Sequence, residues 1–413
     1  MEVSFARCCG LDIHKKVVTA CVLMSGPGSR PTKEIRTFGT MTADLLALSD
    51  WLASRGVTNV AMESTGVYWQ PIYNLLEDRF HLLLTNPSHM KAVPGRKTDI
   101  RDCEWIADLL RHGLLKPSFV PDRFHRELRE LTRERASLVG ERTAVVNRLQ
   151  KTLEGANIKL ASVATRIMGR SGRDILNALV EGKMDPAAMA NLAKRKLREK
   201  LPELERALTG TFREHQRFLI ALALSEIDFL DEAIEQLSAR IEQEMRPVDA
   251  ALERLDAVPG IGRRSAENLL AEIGTDMSRF PTAGHLASWA GVCPGNNESA
   301  GRVRSGRTRK GNRYVRTILV EMAHAAAHKK DSYLAAQFRR LAARRGAKRA
   351  AVAVGHSILT IVHSLLRDPH SIYRDLGVHY FDERDRQAVE RRLIKRLEAL
   401  GNEVIVKPSV APA

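Results

Sequence analysis

The sequence predicts an α/β domain followed by a longer, mostly helical part. Three observations support this. Short β-branched, apolar segments alternate with amphipathic ones over the first 120 residues, strand patterns disappear after about residue 122, and apolar residues then recur at seven-residue intervals. A chain of 413 residues that is 44% hydrophobic can bury a core in each of two or three domains.

The first domain, residues 1–120, predicts a mixed sheet with covering helices. A first strand around Asp12 is followed by strands at 17–23 and 33–38, a helix at 42–54, a strand at 57–62, a helix at 71–78, a strand at 80–84 and a last helix from near residue 98. Three strands, a helix, a strand and a helix form the order of an RNase H-like sheet. We therefore predict an RNase H-like N-terminal domain.

Residues 121–250 predict a helical coiled-coil or bundle region. Two rows with a seven-residue spacing support this: Leu131, Leu138 and Val145, and then Ile220, Ile227, Ile234 and Ile241. The run is only about three heptads long, so an antiparallel or intermolecular coiled coil and an ordinary helical bundle all remain open. Arg135 and Arg142 lie on the seam side of the first helix, and we interpret them as facing nucleic acid.

Residues 251–370 predict a third, mostly helical domain, followed by a C-terminal helix and tail at 371–413. The segment Val258-Pro259-Gly260-Ile261-Gly262 resembles a helix-hairpin-helix turn. Glycines in such a turn let backbone N–H groups approach a DNA phosphate closely, so Gly260 and Gly262 are candidate nucleic-acid ligands. A tight turn between packed helices is the alternative.

The charge balance indicates an anionic partner. Lys and Arg number 65 against 49 Asp and Glu, which gives a net charge of +16. Between residues 300 and 349 there are 15 Lys or Arg and only two acids, an excess that favours phosphate binding. The candidate nucleic-acid contacts in this region are Arg302, Arg304, Arg307, Arg309, Lys310 and Arg313.

We expect this protein to be neither secreted nor embedded in a membrane. The first residues lack a basic-then-apolar leader, and the five cysteines form no CxxC pair or disulfide framework. The most apolar stretch, residues 350–366, includes His356 and His363 and is shorter than a typical span, so we predict a buried helix there. We expect a cytoplasmic protein with no membrane partner.

Four acids in the first domain predict a metal centre. Asp12 alternates with Leu11 and Ile13 in a strand, Glu63 ends the apolar segment Val60-Ala61-Met62, and Asp99 and Asp102 share one helical face. Converging carboxylates are what paired Mg²⁺ ions require, and two such ions can cleave a phosphodiester. Taken singly, Asp99 could be an acid at a helix start and Asp12 could close a hairpin. Arg96 and Lys97, just before Asp99, could contact a phosphate.

A serine in the third domain is a candidate nucleophile. Ser299 lies among small residues just before the basic run, where arginines could hold a scissile phosphate against its hydroxyl. Ser305 is a rival candidate. On the sequence alone, an ordinary loop hydroxyl is the simpler interpretation of either serine.

Several motifs together resemble those of the DEDD insertion-sequence transposases, which have a RuvC-like N-terminal domain and are guided by a bridge RNA. The N-terminal motifs are Gly10-Leu11-Asp12-Ile13-His14-Lys15, Met62-Glu63-Ser64-Thr65-Gly66-Val67-Tyr68-Trp69 and Gly95-Arg96-Lys97-Thr98-Asp99 through Asp102. The C-terminal motifs are Pro259-Gly260-Ile261-Gly262, Trp289-Ala290-Gly291 and Lys310-Gly311-Asn312. The resemblance spans about residues 8–365, although the middle resembles the family only in being helical.

The resemblance implies that Asp12, Glu63, Asp99 and Asp102 hold Mg²⁺ and that Ser299 forms a covalent link to cleaved DNA. Many relatives have Ser-Gly-Gly or Ser-Gly where this chain has Ser299-Ala300-Gly301, so Ser305 stays an alternative. It also implies double-stranded DNA as substrate, a guide RNA encoded beside the gene, and dimers that pair into tetramers. We therefore predict a transposase that excises and inserts its own element.

Three other functions fit part of the sequence. A Holliday-junction resolvase needs the acids but no serine, and does not account for the third domain. A non-catalytic nucleic-acid scaffold does not explain four carboxylates in a basic protein. An actin-like ATPase, suggested by Gly10-Leu11-Asp12, needs a second phosphate loop that the sequence lacks.

Overall fold

The computed structural model describes residues 3–25, 31–64, 66–86, 102–183, 185–295, 297–299, 302–308 and 310–406, with only the backbone for 297–299 and 303–305. The chain forms two compact units, Met1–Arg123 and Phe124–Ala413. The finer division of the second unit at residues 250 and 370 stays a prediction.

The first unit is built on a mixed five-stranded sheet in the order β3-β2-β1-β4-β5. The strands are β1 (Arg7–Ile13), β2 (Val17–Met24), β3 (Thr32–Gly39), β4 (Asn59–Glu63) and β5 (His81–Thr85), and the helices are α1 (Thr42–Ser54), α2 (Trp69–Leu76) and α3 (Asp102–Arg111). β1, β2 and β3 pair antiparallel, whereas β4 and β5 run parallel to β1. The predicted α/β architecture of this region is confirmed.

Alternation along β1 assigns its side chains to two apolar layers. Cys9, Leu11 and Ile13 are buried with residues of α1 and α2 on one face of the sheet. Cys8 is buried on the other face, beneath α3. Because side chains alternate along a strand, Asp12 lies on the α3 face, opposite Leu11 and Ile13, as the sequence predicts.

A glycine lets α3 lie directly on the sheet. A Cβ atom at Gly10 would overlap the carbonyl oxygen of Cys103 and the amide nitrogen of Ala107. Only a residue without a side chain permits this approach of helix backbone to strand. The first turn of α3 is therefore fixed over β1, two residues before Asp12.

The second unit is mostly helical. It consists of α4 (Arg123–Gly155), α5 (Leu160–Val163), α6 (Arg170–Val180), α7 (Pro186–Ala190), α8 (Leu201–Leu208), α9 (Glu214–Glu244), α10 (Asp249–Asp256), α11 (Arg263–Ile273), α12 (Ala283–Ala290), a two-stranded sheet of β6 (Asn297–Ser299) and β7 (Arg302–Ser305), α13 (Arg313–Ala327), α14 (Tyr333–Arg345), α15 (Ala347–Arg367), α16 (Tyr380–Glu383) and α17 (Arg386–Glu398). Short 3-10 helices lie at Arg195–Lys200, Arg246–Val248 and Met277–Arg279.

The long helices α4 and α9 lie antiparallel and share a core with the small helices between them. Val145 and Leu149 of α4 belong to one buried cluster with Ile220 and Ile227 of α9. Residues of α5, α6, α7 and α8 belong to the same cluster. Much of the seven-residue apolar pattern is thus buried within one chain, which corresponds to the bundle alternative.

The predicted buried helix at 350–366 is confirmed. It forms most of α15, which packs against α10, α12, α13 and α14 and buries residues such as Val354, Ile358 and Val362. Within the described part of the chain, α15 is long and apolar enough to cross a membrane, with a mean hydropathy of 1.4. Its packing is that of a core helix.

Candidate nucleic-acid and catalytic site

Strand register brings Asp12 and Glu63 side by side. β1 and β4 pair in parallel, with Leu11 opposite Met62 as the last paired position. Asp12 and Glu63 are the next residue of each strand. Neighbouring strands lie about 4.8 Å apart. Ala61 is buried on the α3 face, and Glu63, two residues later, points the same way. The two carboxylates therefore share one face at the end of the sheet.

Two threonines lie beside these acids on the next strands of the sheet. Thr19 of β2 pairs with Asp12, and Thr85 of β5 pairs with Glu63. The Thr85 side chain is buried and its hydroxyl donates to the carbonyl of Lys116 at 3.4 Å. The acids are thus flanked by small hydroxyl side chains, which leave room beside the carboxylates.

The first turn of α3 lies close to Asp12. Burial and, second, the negative charge of Asp12 raise the pKa of the Cys103 thiol to about 11. Asp102, the first residue of α3, precedes Cys103 and is exposed. The third predicted acid therefore starts a helix packed against the strand that carries the first.

The Asp12 carboxylate remains accessible. Its side chain is 29% exposed, and His14 Nε2 lies 3.2 Å from its Oδ2 atom. Glu63 is half-buried. An acid that holds a metal and meets a phosphate has to be reachable from solvent, and both carboxylates meet this condition.

The donor chemistry of this face fits a hard divalent cation. Asp12, Glu63 and Asp102 offer only carboxylate oxygens, which Mg²⁺ prefers. Asp99, the fourth predicted ligand, lies outside the described residues, as do Arg96 and Lys97. Among the described residues, no three His, Cys, Asp or Glu side chains come close enough together to form a complete metal site. The four-acid centre stays a prediction.

The two candidate serines lie at opposite ends of a small hairpin. Ser299 is the last residue of β6 and pairs with Arg302, the first residue of β7. Ser305 ends β7 and pairs with Asn297, the first residue of β6. Ser299 is therefore at the end where the two strands connect, whereas Ser305 is at the base of the hairpin.

The base of the hairpin is closed by further backbone contacts. Pro294 and Thr308 form an isolated bridge, and the amide of Gly295 donates to the carbonyl of Arg307 at 2.9 Å. Arg302, Arg307, Lys310 and Arg313 are exposed, whereas the side chain of Arg304 and all of Arg309 lie outside the described residues. The described cations of this region are thus at the protein surface.

The turn between α10 and α11 uses its two glycines differently. Gly260 has a φ of +92°, and a Cβ there would overlap the backbone of Met322 and Ala326 in α13. The positive φ and the close contact with α13 therefore explain why residue 260 is a glycine. Gly262 is exposed, precedes the first turn of α11 and has open space around its Cα. A phosphate contact at this turn would be made by Gly262 and the free N–H groups beside it.

A buried carboxylate connects α4 to the helix that follows the hairpin. Glu272 of α11 is 1% exposed. Arg133 of α4 donates to both of its oxygens, at 2.7 and 2.9 Å, and Arg129 also pairs with it at 3.3 Å. Asn312 Nδ2 donates to Glu272 Oε2 at 2.8 Å. Burial lowers the pKa of Arg129 to about 10, although Glu272 opposes this shift.

Asn312 connects the buried Glu272 carboxylate to α13. Its Oδ1 atom accepts hydrogen bonds from the amides of Tyr314 and Val315 and so caps α13, at 2.9 and 3.2 Å. The guanidinium of Arg133 also lies 4.1 Å from the centre of the Tyr314 ring, in the range of a cation–π interaction. The chain leaving the basic hairpin is thus fixed by α4 and α11 together.

The interpretation of Arg135 and Arg142 as nucleic-acid ligands is wrong. Arg135 is 3% exposed and donates to Glu267 and Asn268 of α11, at 2.8 Å each. Arg142 forms a two-bond ion pair with Asp231 of α9, one bond being 3.0 Å. Both guanidiniums are thus paired within the chain, and for Arg135 the reason is burial, because a buried charge needs a partner.

Sequence reasoning missed the Glu272 network. The signal was present, since Glu272 interrupts the apolar run Leu269-Leu270-Ala271-Glu272-Ile273. A charged residue on a buried helix face requires a paired charge. Its partners lie about 140 residues earlier in the sequence, which no local pattern identifies.

Comparison with known proteins agrees with these motifs. Residues 9–158 match a family model of DEDD type for IS110, described as a transposase, and residues 252–339 match one described as the transposase IS116/IS110/IS902 family. The chain is therefore similar to the IS116/IS110/IS902 transposases in both of these segments. The predicted resemblance is thereby confirmed, and the two matches contain the sheet-edge acids and the basic hairpin, respectively.

Individual proteins of insertion elements show moderate identity to the chain. The uncharacterized 43.6 kDa protein of insertion element IS110 from Streptomyces coelicolor is 26% identical, over 56% of this chain and 61% of that protein. The uncharacterized 42 kDa protein of IS900 from Mycobacterium paratuberculosis is 29% identical, over 58% and 66%. The transposase of IS1111A from Coxiella burnetii is 25% identical, over 68% and 69%. The chain thus spans less than two thirds of the first two relatives.

Proposed function

We propose that this protein is a transposase that cleaves and rejoins DNA strands to excise and insert its own element. One observation carries the proposal: Asp12 and Glu63 lie side by side at one end of a sheet, in a chain that transposase family models match at both ends. Paired carboxylates on adjacent strands in a protein of net charge +16 suit an enzyme that acts on a phosphate backbone.

In this proposal, Asp12, Glu63, Asp99 and Asp102 hold Mg²⁺ within an RNase H-like domain. Bound Mg²⁺ supplies positive charge that stabilises the attacking and leaving oxygens of a phosphodiester. The chain's own contribution is to hold the carboxylates in a fixed position. Gly10 contributes by letting α3, and with it Asp102, lie directly on the strand that bears Asp12.

Ser299 is the proposed nucleophile. Its hydroxyl oxygen attacks phosphorus and loses its proton, which forms a seryl phosphodiester and releases one deoxyribose hydroxyl from the cut strand. A hydroxyl of the partner strand then attacks the same phosphorus, expels Ser299 and rejoins the DNA. The position of Ser299 beside the hairpin turn favours it over Ser305, because a turn can enter a groove more easily than a strand base.

The nucleic-acid contacts are assigned to exposed cations around the hairpin, with Arg302, Arg307, Lys310 and Arg313 as the described members. Their charge would offset that which develops on the phosphate during cleavage. We further propose double-stranded DNA as substrate, a guide RNA encoded beside the gene, a dimer that pairs into a tetramer, and action in the cytoplasm.

The decisive experiment measures strand exchange and binding with the same purified proteins. Ser299→Ala should abolish recombination between element ends and target DNA while leaving nucleic-acid affinity within about twofold, because the alanine removes only the nucleophile. Ser305→Ala is the matched control and should recombine normally. Wild-type recombination by Ser299→Ala would remove the serine mechanism, and loss only in Ser305→Ala would transfer it to that residue.

A second pair of variants tests the acids. Asp12→Asn should abolish DNA cleavage in Mg²⁺, because the neutral amide is a poorer metal ligand. Asp50→Asn, an exposed acid paired with Arg79, is the matched control and should cleave normally. Cleavage by Asp12→Asn at the wild-type rate would refute the metal assignment, whereas no Mg²⁺-dependent cleavage by the wild-type protein would favour a non-catalytic nucleic-acid scaffold.

Sequencing of the nucleic acid that copurifies with the protein tests the guide. One discrete structured RNA that maps beside the gene is expected. Random fragments released by moderate salt would indicate backbone binding alone and would favour a plain Holliday-junction resolvase, which needs the acids but neither a guide RNA nor Ser299.

A further inference from the structure

A basic cleft lies among the small helices that connect α4 to α9. Its residues are distant in sequence from both candidate sites. Its volume is about 990 Å³, and it is lined by residues 163–166 and 169–172 on one side and by residues 194–197 and Lys200 on the other. The first wall runs from the end of α5 into the first turn of α6. The second wall belongs to the 3-10 helix Arg195–Lys200 and the residue before it, and Glu199 of that helix is not part of the lining.

Every charged side chain that lines this cleft is positive. The lining residues with charge are Arg166, Arg170, Lys194, Arg195, Lys196 and Lys200, and all six are exposed. Lys194 pairs with Asp174 at 2.6 Å. Within the described residues, the other five form no ion pair. Five uncompensated cations around one cleft repel each other, so an anion entering it would relieve that repulsion.

Backbone geometry adds to the positive potential. The first turn of α6 lines the cleft, and its N-cap residue, Gly169, has no side chain to satisfy the free N–H groups there. The amide of Lys194 donates to Ser171 Oγ at 2.9 Å, which ties the two walls together. Arg195 has a φ of +55°, an unusual conformation for a non-glycine residue, at the start of the second wall.

We propose that this cleft is a second nucleic-acid site, which binds the phosphodiester backbone. The inference rests on the proposed function for the identity of the anion. The lining includes no aromatic side chain on which a base could stack and no acid that would accept a base amino group, so the cleft would read phosphates rather than sequence. Several cations spread along two walls suit a chain of phosphates better than a single one.

The experiment compares two variants that lose the same charge. The cleft variant combines Arg166→Gln, Arg170→Gln, Lys196→Gln and Lys200→Gln in the full chain. The control variant combines Arg391→Gln, Arg392→Gln, Lys395→Gln and Arg396→Gln, which are exposed on α17. Binding of a fluorescent 20-nucleotide RNA and of a 20-base-pair DNA duplex is measured by anisotropy over a series of salt concentrations.

The cleft variant should bind at least one probe about tenfold or more weakly at low salt. Its slope of log K against log salt should fall by roughly 0.7 to 0.9 for each phosphate contact removed. The control variant should differ from wild type by less than about twofold. Loss with RNA alone would assign the cleft to the guide, loss with DNA alone to the element, and loss with both to backbone binding in general.

Equal affinities and slopes for the cleft and control variants with both probes would overturn the proposal. A second measurement does not depend on folding of a variant: wild-type protein is photocrosslinked to 4-thiouridine RNA and to bromodeoxyuridine DNA, and peptides within 163–200 should carry the label. Failure of the proposed catalysis gives a different result, since Ser299→Ala tests strand exchange and leaves cleft binding unchanged.

Discussion

In the first unit, strand register between two apolar layers holds Asp12 and Glu63, whereas in the second unit buried charges hold the helix that follows the basic hairpin. β1 and β4 align the two acids because they are neighbours in the core of the sheet. α13 is fixed through Asn312, which connects it to Glu272 and so to α4. The two candidate sites therefore depend on different interactions.

The comparison indicates where each site is vulnerable. Strand alignment that depends on apolar packing is insensitive to the loss of any one polar contact. It is sensitive to steric change where a helix touches a strand. A buried ion network is sensitive to the loss of one member, because the remaining charges are left without partners.

Thiol reactivity should separate the two units most strongly. Burial raises the pKa of Cys8 and Cys21 to about 12 and that of Cys103 to about 11, and Cys9 is fully buried as well. Cys293, in the second unit, is half-buried. At pH 8, iodoacetamide should label Cys293 faster than the other four by about two orders of magnitude or more, because those require local opening.

The same thiols predict the direction of pH dependence in the first unit. The folded state keeps the thiol protons above pH 9, whereas the unfolded chain loses them near its ordinary pKa of 9. The free energy of unfolding should therefore fall as the pH rises from about 9 towards the folded pKa values. Rapid labelling of all five cysteines at pH 8 would mean that the sheet unit opens easily and that its apolar layers do not hold it closed.

Glu272→Ala should give the largest loss of stability. It leaves Arg129 and Arg133 without their buried carboxylate, and breaking a buried ion pair costs about 3–5 kcal/mol. Hydrogen exchange measured by mass spectrometry on peptides of α11 and α13 reports the local free energy of opening. The matched control is Glu226→Ala, which removes a glutamate from a pair in which both side chains are well exposed. A cost below about 1 kcal/mol for Glu272→Ala would show that apolar packing holds α11 as well.

Gly10→Ala should cost about 1–3 kcal/mol, the usual effect of overpacking. The new methyl group would overlap the backbone of Cys103 and Ala107, so α3 would have to move away from β1. The temperature of thermal unfolding and the rate of Mg²⁺-dependent cleavage should both fall. The control is Gly140→Ala in α4, which meets nothing within 4 Å and should stabilise its helix by about 0.5–1 kcal/mol. Unchanged cleavage by Gly10→Ala would mean that Asp102 does not need this close approach.

The sequence predicted the first unit better than the second. All five strands were predicted, the helix at 42–54 matches α1 at both ends, and alternation assigned Asp12 to the correct face. These features are local, since period-2 alternation and helical spacing can be read within one segment. The placement of Asp12 and Glu63 near each other was predicted because both lie where a strand reaches the same edge of the sheet.

Long-range charge pairing explains what the sequence could not predict. Arg135 has the pattern of a nucleic-acid ligand, yet its partner Glu267 is 132 residues away. The basic cleft likewise forms only when residues 163–172 and 194–200 come together. A sequence indicates that a charge needs a partner, but only the fold determines whether that partner is a carboxylate or a phosphate.

The exposed ion pairs between α4 and α9 should have the smallest effect. Arg148 donates to both oxygens of Glu226, at 3.0 and 2.8 Å, and the side chains are 61% and 44% exposed. Solvent screens such a pair, so Arg148→Gln should change the free energy of unfolding by less than about 1 kcal/mol, and less still at high salt. Urea unfolding at low and high salt measures this. A cost close to that of Glu272→Ala would abolish the distinction between buried and exposed charges in the second unit, and α4 would then depend on its ion pairs along its whole length.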